Sequence, residues 1–326
     1  MAAIVTLALG IGATTAMFSL VNAVLLKPLP FPQADRLVWI AYDDSALGGN
    51  GENTLSYRNF FDYRDRQRSF SAIASYRGSG HTLMGVGEAQ QVNSQVVSAD
   101  FFRVLGVAPE LGRDLARDDE KLNARVVMLS WALWQHTFGG RREVIGGSIT
   151  IDGNPYEVAG VMPAGFSFPI QTPAPDLWIS AAQDADENAG GMWLNRSAGF
   201  LNAIGRVKPG VALSSAHADL QVIATSLSKD YPDADAQLNR IVTKPELDQI
   251  VGDTRPALRI LFAAVAAVLL IACVNVAGLL LARASRRKSE IGVLAAIGAS
   301  RGVILRQVLI EALTLSLAGG ALGVLL

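Results

Sequence analysis

Charged side chains are missing from two long stretches of this chain, are reduced to one in a third, and crowd between them. Ala2–Leu26 runs for 25 residues without Asp, Glu, Lys or Arg, and Ile260–Ala282 for another 23. From Val308 to Leu326 the chain is apolar again, with Glu311 near the start of that stretch. About 20 apolar residues cross the hydrocarbon core of a bilayer. The first two runs are therefore predicted to be membrane helices, and the third to begin one. A cleaved signal peptide fits Ala2–Leu26 poorly. The stretch has no basic lead, is long for a signal's apolar core, and has no small-x-small site before Lys27-Pro28. A buried helix of a soluble protein could account for one such run, but poorly for three.

Between the first two runs the pattern changes to short periods. Lys27-Pro-Leu-Pro-Phe-Pro32 cannot continue a helix, since proline lacks the N–H and clashes with the preceding turn. Arg36–Tyr42 (RLVWIAY) reads as a strand. Ser56–Tyr76 reads as one amphipathic helix capped by Ser56, with Tyr57, Phe60, Phe61, Arg64 and Arg68 at three- and four-residue spacing. Gln90–Ser98 alternates as a strand, and Ser98 is expected to cap a short helix closed by Gly106. Ala124–Ser130 reads as a buried strand, and the helix Trp131–Phe138 ends at Gly139-Gly140. Ser148–Pro163 is a hairpin around Asp152-Gly153. Leu201–Gly210 is a strand and turn. A helix over Ser214–Pro232 would be capped by Ser214 or Ser215. Residues 169–199, rich in Pro, Asp, Gly and Asn, are expected to form an inserted loop. The order lacks the regular βαβ spacing of a parallel sheet. It predicts a large α+β domain, in one or two lobes, at 27–259.

Charge orients these parts. Arg283, Arg286, Arg287, Lys288, Arg301 and Arg306 follow the second run, opposed only by Glu290 and Glu311. Short Lys/Arg-rich loops stay in the cytoplasm. Residues 283–307 are thus predicted to be cytoplasmic and 27–259 extracytoplasmic, with spans at 2–26, 260–282 and 308–326. The domain carries 22 basic and 27 acidic residues. Its single-chain core must hold it together, because the one cysteine, Cys273, lies in the second apolar run. The net charge of −1 suggests no nucleic-acid partner. Ala8, Gly12 and Ala16 recur every four residues and could let helices approach closely in lipid. Asn275, in the second run, wants a helix partner, water or its own backbone.

The chemistry of catalysis is sparse. The chain has no G-x-x-x-x-G-K-[ST], H-E-x-x-H or G-x-S-x-G motif. His81, His136 and His217 are far apart, in no metal-ligand spacing. No catalytic residue, metal or cofactor site is expected, and no enzymatic activity of the chain itself. A membrane-tethered hydrolase would need a triad assembled from distant residues.

Several blocks together resemble the MacB/FtsX-type permeases, the membrane subunits of type VII ABC systems. They are LALGIGATTAMFSLVNAVLLKPLPFP, DFFRVLGVAPELGRDL, VVMLSWALWQHTFGG, VIGGSITIDGNPYEVAGVMPAGFSFP and RASRRKSEIGVLAAIGASRGVILRQVLIEALTLS. The style is most similar to the duplicated orphan permeases of acidobacteria. The resemblance implies a MacB-like periplasmic core domain, an FtsX-like permease domain beginning at 260, and a bacterial inner-membrane location. It implies four spans, so this chain is expected to be a fragment or half of a longer protein. ATP would be bound by a separate cytoplasmic ABC ATPase, and a homodimer or second permease unit would complete the assembly. The segment after the second span would touch the ATPase, with Ile291, Leu294, Ala295 and Gly298 on one helix face and Arg286, Arg287 and Glu290 at its rim. A plain stop-transfer cluster lying on anionic lipid is the alternative. At the level of function the alternative is an orphan membrane-anchored binding or scaffold protein.

Overall fold

A computed structural model of the chain describes residues 11–17, 19, 28–45, 48, 51–121, 124–187, 191–235, 238–252 and 254–286, with isolated helical positions at 302, 306, 310, 313, 314, 317 and 321. The chain divides into two units, Pro28–Ile250 and Met1–Lys27 together with Val251–Leu326.

In Pro28–Ile250 the strands are β1 (Leu37–Tyr42), β2 (Phe70–Met84), β3 (Gln90–Val97), β4 (Leu111–Gly112), β5 (Val126–Leu129), β6 (Ser148–Ile151), β7 (Asn154–Val161), β8 (Leu177–Ser180), β9 (Asn202–Val207) and β10 (Ile241–Pro245). The helices used below are α1 (Tyr57–Arg66), α2 (Phe101–Leu105), α3 (Trp131–Phe138), α4 (Ala182–Glu187), α5 (Gly191–Leu194), α6 (Leu213–Asp230), α7 (Pro232–Asp235) and α8 (Glu246–Val251). The domain is α+β.

The strands form one sheet in the order β10-β1-β9-β2-β3-β8-β5-β7-β4, with β6 bridging β2 and β7. The long strand β2 joins two regions. Its first half pairs with β9, Ile73 opposite Gly205, within an antiparallel layer of β10, β1, β9 and β2. Its second half pairs with β3, and Leu83 meets Ile151 of β6. That last contact closes a ring β2-β3-β8-β5-β7-β6. Two of its pairings, β3 with β8 and β5 with β7, are parallel.

Three apolar clusters hold these layers. Val38, Ile40 and Tyr42 of β1 meet Tyr57, Phe60 and Tyr63 of α1 and Leu220, Ile223 and Leu227 of α6. On the opposite face Leu37, Ala74 and Ile204 meet Phe101, Phe102, Phe168 and Trp178. The third cluster includes Leu83, Val127, Ile151, Val158 and Ile179 with Leu133 and Trp134 of α3. Both faces of β1 are covered, so all six of its residues are buried and its sequence reads as an apolar run rather than an alternation.

Local chemistry follows the sequence at several points. Ser56 and Ser130 accept hydrogen bonds from the N–H groups of Asn59 and Leu133, capping α1 and α3. Asp152 and Gly153 both take positive φ, as a two-residue hairpin of this twist requires.

Four expectations need correction. The helix from Ser56 stops at Arg66, and Phe70–Tyr76 belongs to β2. Both faces of this part of β2 are covered, Ile73 packing in one cluster and Ala72 and Ala74 in another, and pairing with β9 outweighs the helical period. Ser98 does not cap α2; its hydroxyl accepts from the N–H of Ser75 on the neighbouring strand. Neither Ser214 nor Ser215 caps α6, whose N-cap is Ala212. Residues 169–199 are not merely a loop. They contain β8, whose Leu177, Trp178 and Ile179 are fully buried, and the short helices α4 and α5.

In the other unit, residues 11–17 are helical and α9 runs Thr254–Arg286. Its Arg255–Gly278 portion is, among the described residues, the one helix long and apolar enough to cross a membrane. The helix starts before Ile260 and carries Arg255 and Arg259 in its first turns, so the apolar run marks the lipid-sized middle and not the ends. Ile260, Leu270, Ile271, Val274 and Leu281 are each at least 60% exposed. Such a patch on a helix is costly in water and suits a lipid surface. Leu258, Ala272 and Val276 are buried and lie along a seven-residue seam with half-buried Val265 and Leu269.

Candidate functional site at the two membrane links

The chain enters the larger unit at Pro28 and leaves it at Ile250. These two links are built as a pair.

The inbound link is Pro28–Arg36. Its prolines forbid a helix, so its apolar side chains fold down onto the domain. Leu29 and Phe31 are buried in the cluster of Phe101, Phe102, Phe168 and Trp178. The Phe31 ring meets Phe168 edge-on at 5.6 Å between centroids. Arg206 of β9 pins the backbone. Its Nη1 donates to the carbonyls of Pro32 (2.8 Å) and Gln33 (3.2 Å), and its Nε to that of Val104 (2.6 Å). Gly106 closes α2 at φ 70°, and a Cβ there would sit 3.3 Å from Arg206 Nη2. Glycine thus serves the backbone turn and the guanidinium together. Arg36 Nε donates to Val207 O at 2.7 Å. The link then becomes β1.

The outbound link is β10 followed by α8. β10 pairs with β1, Lys244 opposite Trp39. Leu247 and Ile250 of α8 pack on the cluster that holds Leu29 and Phe31. Both links therefore attach to adjacent strands of one antiparallel layer and to one apolar cluster. At their junction Glu246 is only 1% exposed, and burial pushes its carboxyl up to about 8 against the opposing effect of Lys244. Burial, reinforced by the charge of Glu246, also holds Tyr76 well above its ordinary value.

Elsewhere the domain carries buried polar networks. Asp184 of α4 accepts from Tyr57 Oη at 2.6 Å and pairs with Arg77. Arg196 bonds to Asn59, pairs with Asp62 and stacks on Tyr231. His81, Ser94 and Asp152 come together, but not as a hydrolytic triad. The Ser94 hydroxyl donates to Ser79 O (2.8 Å), so His81 Nδ1, 2.5 Å away, is the donor to Ser94 Oγ. His81 Nε2 accepts from Gln183 Nε2 at 2.6 Å. A general base must be free to take the hydroxyl proton, and both residues are under 5% exposed. His136 is exposed and His217 meets Thr243, neither near His81 in sequence. Among the described residues no His, Cys, Asp and Glu cluster is fit to hold a metal.

Residues 1–223 match the MacB-like periplasmic core domain. The chain belongs to that family. Residues 262–326 match the FtsX-like permease C-terminal family, so the organisation is that of a MacB/FtsX-type permease. The macrolide export ATP-binding/permease protein MacB of Hahella chejuensis is 29% identical over 255 residues, which cover 73% of this chain and 35% of that protein. The protein of the same name from Salmonella paratyphi A is 27% identical over 246 residues, covering 72% and 34%. This MacB-like chain thus spans about a third of the length of the curated relatives it matches. A solved domain assigned to a permease protein of Porphyromonas gingivalis superposes with a TM-score of 0.50 at 17% identity, over 66% of this chain and 92% of that one. That likeness concerns the fold.

The structure treats the sequence-predicted residues unevenly. Arg286 is the last residue of α9. Arg287, Glu290, Ile291, Leu294, Ala295, Gly298 and Ala8 lie outside the described residues. Gly12 is half-buried, and Ala16 and Asn275 are exposed within this chain. Arg206 and Glu246 escaped sequence reasoning. The one signal for Arg206 was a lone cation in an apolar strand, AIGRV; Glu246 gave none.

Proposed function

We propose that this chain is the permease-type membrane subunit of an ABC system, passing motion between cytoplasmic ATP hydrolysis by a separate ATPase and its extracytoplasmic domain. The convergence of both membrane links on β1, β10 and one buried cluster supports this most. A displacement of either link must move the same layer, since packed interiors are stiff. In this reading the chain is multi-pass in the bacterial inner membrane, and residues 283–307 face the cytoplasm. Arg286, Arg287, Glu290, Ile291, Leu294 and Gly298 meet the ATPase. A second permease unit pairs with this one, through Ala8, Gly12 and Ala16 or through Asn275. The curated relatives are named for macrolide export and for an ATP-binding part, which supports an efflux or mechanotransmission role. The cargo class would be a lipid, peptide or drug-like molecule taken up on the extracytoplasmic side.

The test is purification of the full-length protein from its host in mild detergent, with mass spectrometry of what accompanies it. A stoichiometric ABC ATPase whose turnover changes with the permease is the expected result. A protein that comes away without one is a membrane-anchored scaffold instead.

A further inference from the structure

We propose that Glu246 is a proton-operated latch at the root of the outbound link, holding α8 on the domain when neutral and releasing it when ionised. The proposal rests on the coupling reading for its consequence, but not for its existence.

The geometry is unusual for a carboxyl group. Glu246 is the first residue of α8, immediately after Pro245 ends β10. Its Oε2 is buried without a hydrogen-bond partner. A buried carboxylate in that condition is strongly disfavoured, whereas a neutral acid is tolerated and carries an O–H to donate. Gln249, one turn further along α8, has a buried Oε1 that also lacks a partner. Residues three apart lie on one helix face, so the O–H of the neutral acid is a donor on the face that holds the unpartnered Gln249 Oε1.

The charged and titratable neighbours are few. Tyr76 approaches from β2. Lys244 approaches from β10, but its ammonium pairs with Glu52 and lies 4.8 Å from the centre of the Trp39 ring. Asp248 is on α8 itself. No guanidinium or ammonium is therefore dedicated to the Glu246 carboxylate among the described residues. Leu247 and Ile250, which α8 lays on the core, sit directly beyond it.

The packed state favours the proton, because burial raises the carboxyl to about 8, above its usual 4.5. The sign follows from linkage. Attachment of α8 is strongest below the ordinary carboxylate range and weakens as pH rises through about 8. Four residues after Ile250 the chain is already in α9. A change in the attachment of α8 therefore changes how firmly the outbound link grips the domain. In an extracytoplasmic compartment this makes the grip sensitive to external pH.

Hydrogen exchange read by mass spectrometry on the full chain in detergent tests the latch. After correction for the intrinsic pH dependence of exchange, protection of α8 should fall at least about tenfold between roughly pH 6 and pH 9. Glu246→Gln, neutral at every pH, should hold α8 protected throughout. Parallel profiles for the two proteins would overturn the proposal. Infrared spectroscopy gives an independent reading: at about pH 7 the wild type should keep a neutral-carboxyl C=O band that Glu246→Gln lacks. If that band is missing from the wild type, the latch is wrong even should the variant fail to fold. Neither measurement involves an ATPase, so failure here leaves the coupling reading standing, and a missing ATPase leaves the latch standing.

Discussion

Arg206 Nη1 donates to the carbonyl oxygen of Pro32 across 2.8 Å, although the two residues are 174 positions apart. One guanidinium on β9 thereby fixes the backbone of the inbound link. The cation is 9% exposed; carbonyls of Val104, Pro32 and Gln33 accept from its Nε and Nη1, while Nη2 is buried without a partner among the described residues.

Arg206→Met should destabilise the domain by about 3 kcal/mol, since it takes the donor from the Val104 and Pro32 carbonyls, while Gln33 O keeps the Arg36 N–H. Arg206→Lys should recover little of this, because a single ammonium cannot span the Val104 and Pro32 carbonyls as a planar fork does. All five tryptophans lie within Pro28–Ile250. Their fluorescence therefore reports unfolding of this unit in the full chain. A midpoint lower by roughly 6–12 °C is expected. A Met variant that melts with the wild type would remove Arg206 from the account of the link.

The Tyr57–Asp184–Arg77 network offers a test of non-additivity. Asp184 is fully buried, and it is the shared partner. Tyr57→Phe should cost about 1 kcal/mol. Asp184→Ala should cost about 3–5 kcal/mol, because it strands a half-buried guanidinium and the Tyr57 hydroxyl. Adding Tyr57→Phe to Asp184→Ala should change little further. Additive losses, measured by the same fluorescence transition, would mean that the hydroxyl and the carboxylate act separately.

Gly112 of β4 faces Gly160 of β7. A Cβ on Gly112 would lie 2.2 Å from Ala159 O, at φ +81°, and one on Gly160 would lie 2.5 Å from Leu111 O. Both obstacles are backbone, which cannot rotate away. Gly112→Ala or Gly160→Ala should each cost about 2 kcal/mol or more. An alanine accepted at either position with an unchanged transition would show that β4 is not held against β7 in this register.

What the sequence revealed and what it hid divide on a physical line. Ser56 and the Asp152-Gly153 turn act within a few residues, so local chemistry announced them, whereas Ser130 was read only as the end of a strand although it caps α3. β8 was hidden because Leu177–Ser180 is only four residues long and lies among turn-formers; its strand state comes from β3 and β5 on either side. The start of β2 was hidden because no Gly or Pro separates it from α1. Burial of Arg206 and Glu246 is a tertiary property, and no period in the chain reports it. The expectation for Arg287 and Glu290 rests on the family's recurring block alone, and both lie outside the described residues.

Asp114 gives a pH-dependent prediction in which the charged form is the burden. Burial, with Asp100 adding to it and the Leu115 N–H opposing, raises its carboxyl to about 6. A folded value above the unfolded one means that its contribution to stability is complete below about pH 4 and is lost as pH climbs through about 6. Asp114→Asn keeps an oxygen for the Leu115 N–H, which now bonds at 2.7 Å. The variant should be more stable than the wild type at about pH 7 by roughly 1–2 kcal/mol, after allowing for partial exposure. The gap should close towards about pH 4. A gap independent of pH would assign the effect to something other than titration.

The last prediction concerns the segment beyond α9. Arg286, Arg287 and Lys288 follow an apolar span, with Glu290 the first acid after it. If this cluster only stops translocation, its total charge matters and its arrangement does not, because anionic lipid reads a summed positive potential. If it docks on an ATPase, the arrangement matters, because close ion pairs at an interface are lost when a partner's sign is reversed. Exchanging Arg287 and Glu290 leaves net charge and topology unchanged and so separates the two. In the full-length protein the exchange should weaken ATPase association at least about tenfold, equivalent to about 1.4 kcal/mol, and Ile291→Asp should do the same through the apolar face. Association unaltered by the Arg287/Glu290 exchange would leave the stop-transfer reading of the cluster in place.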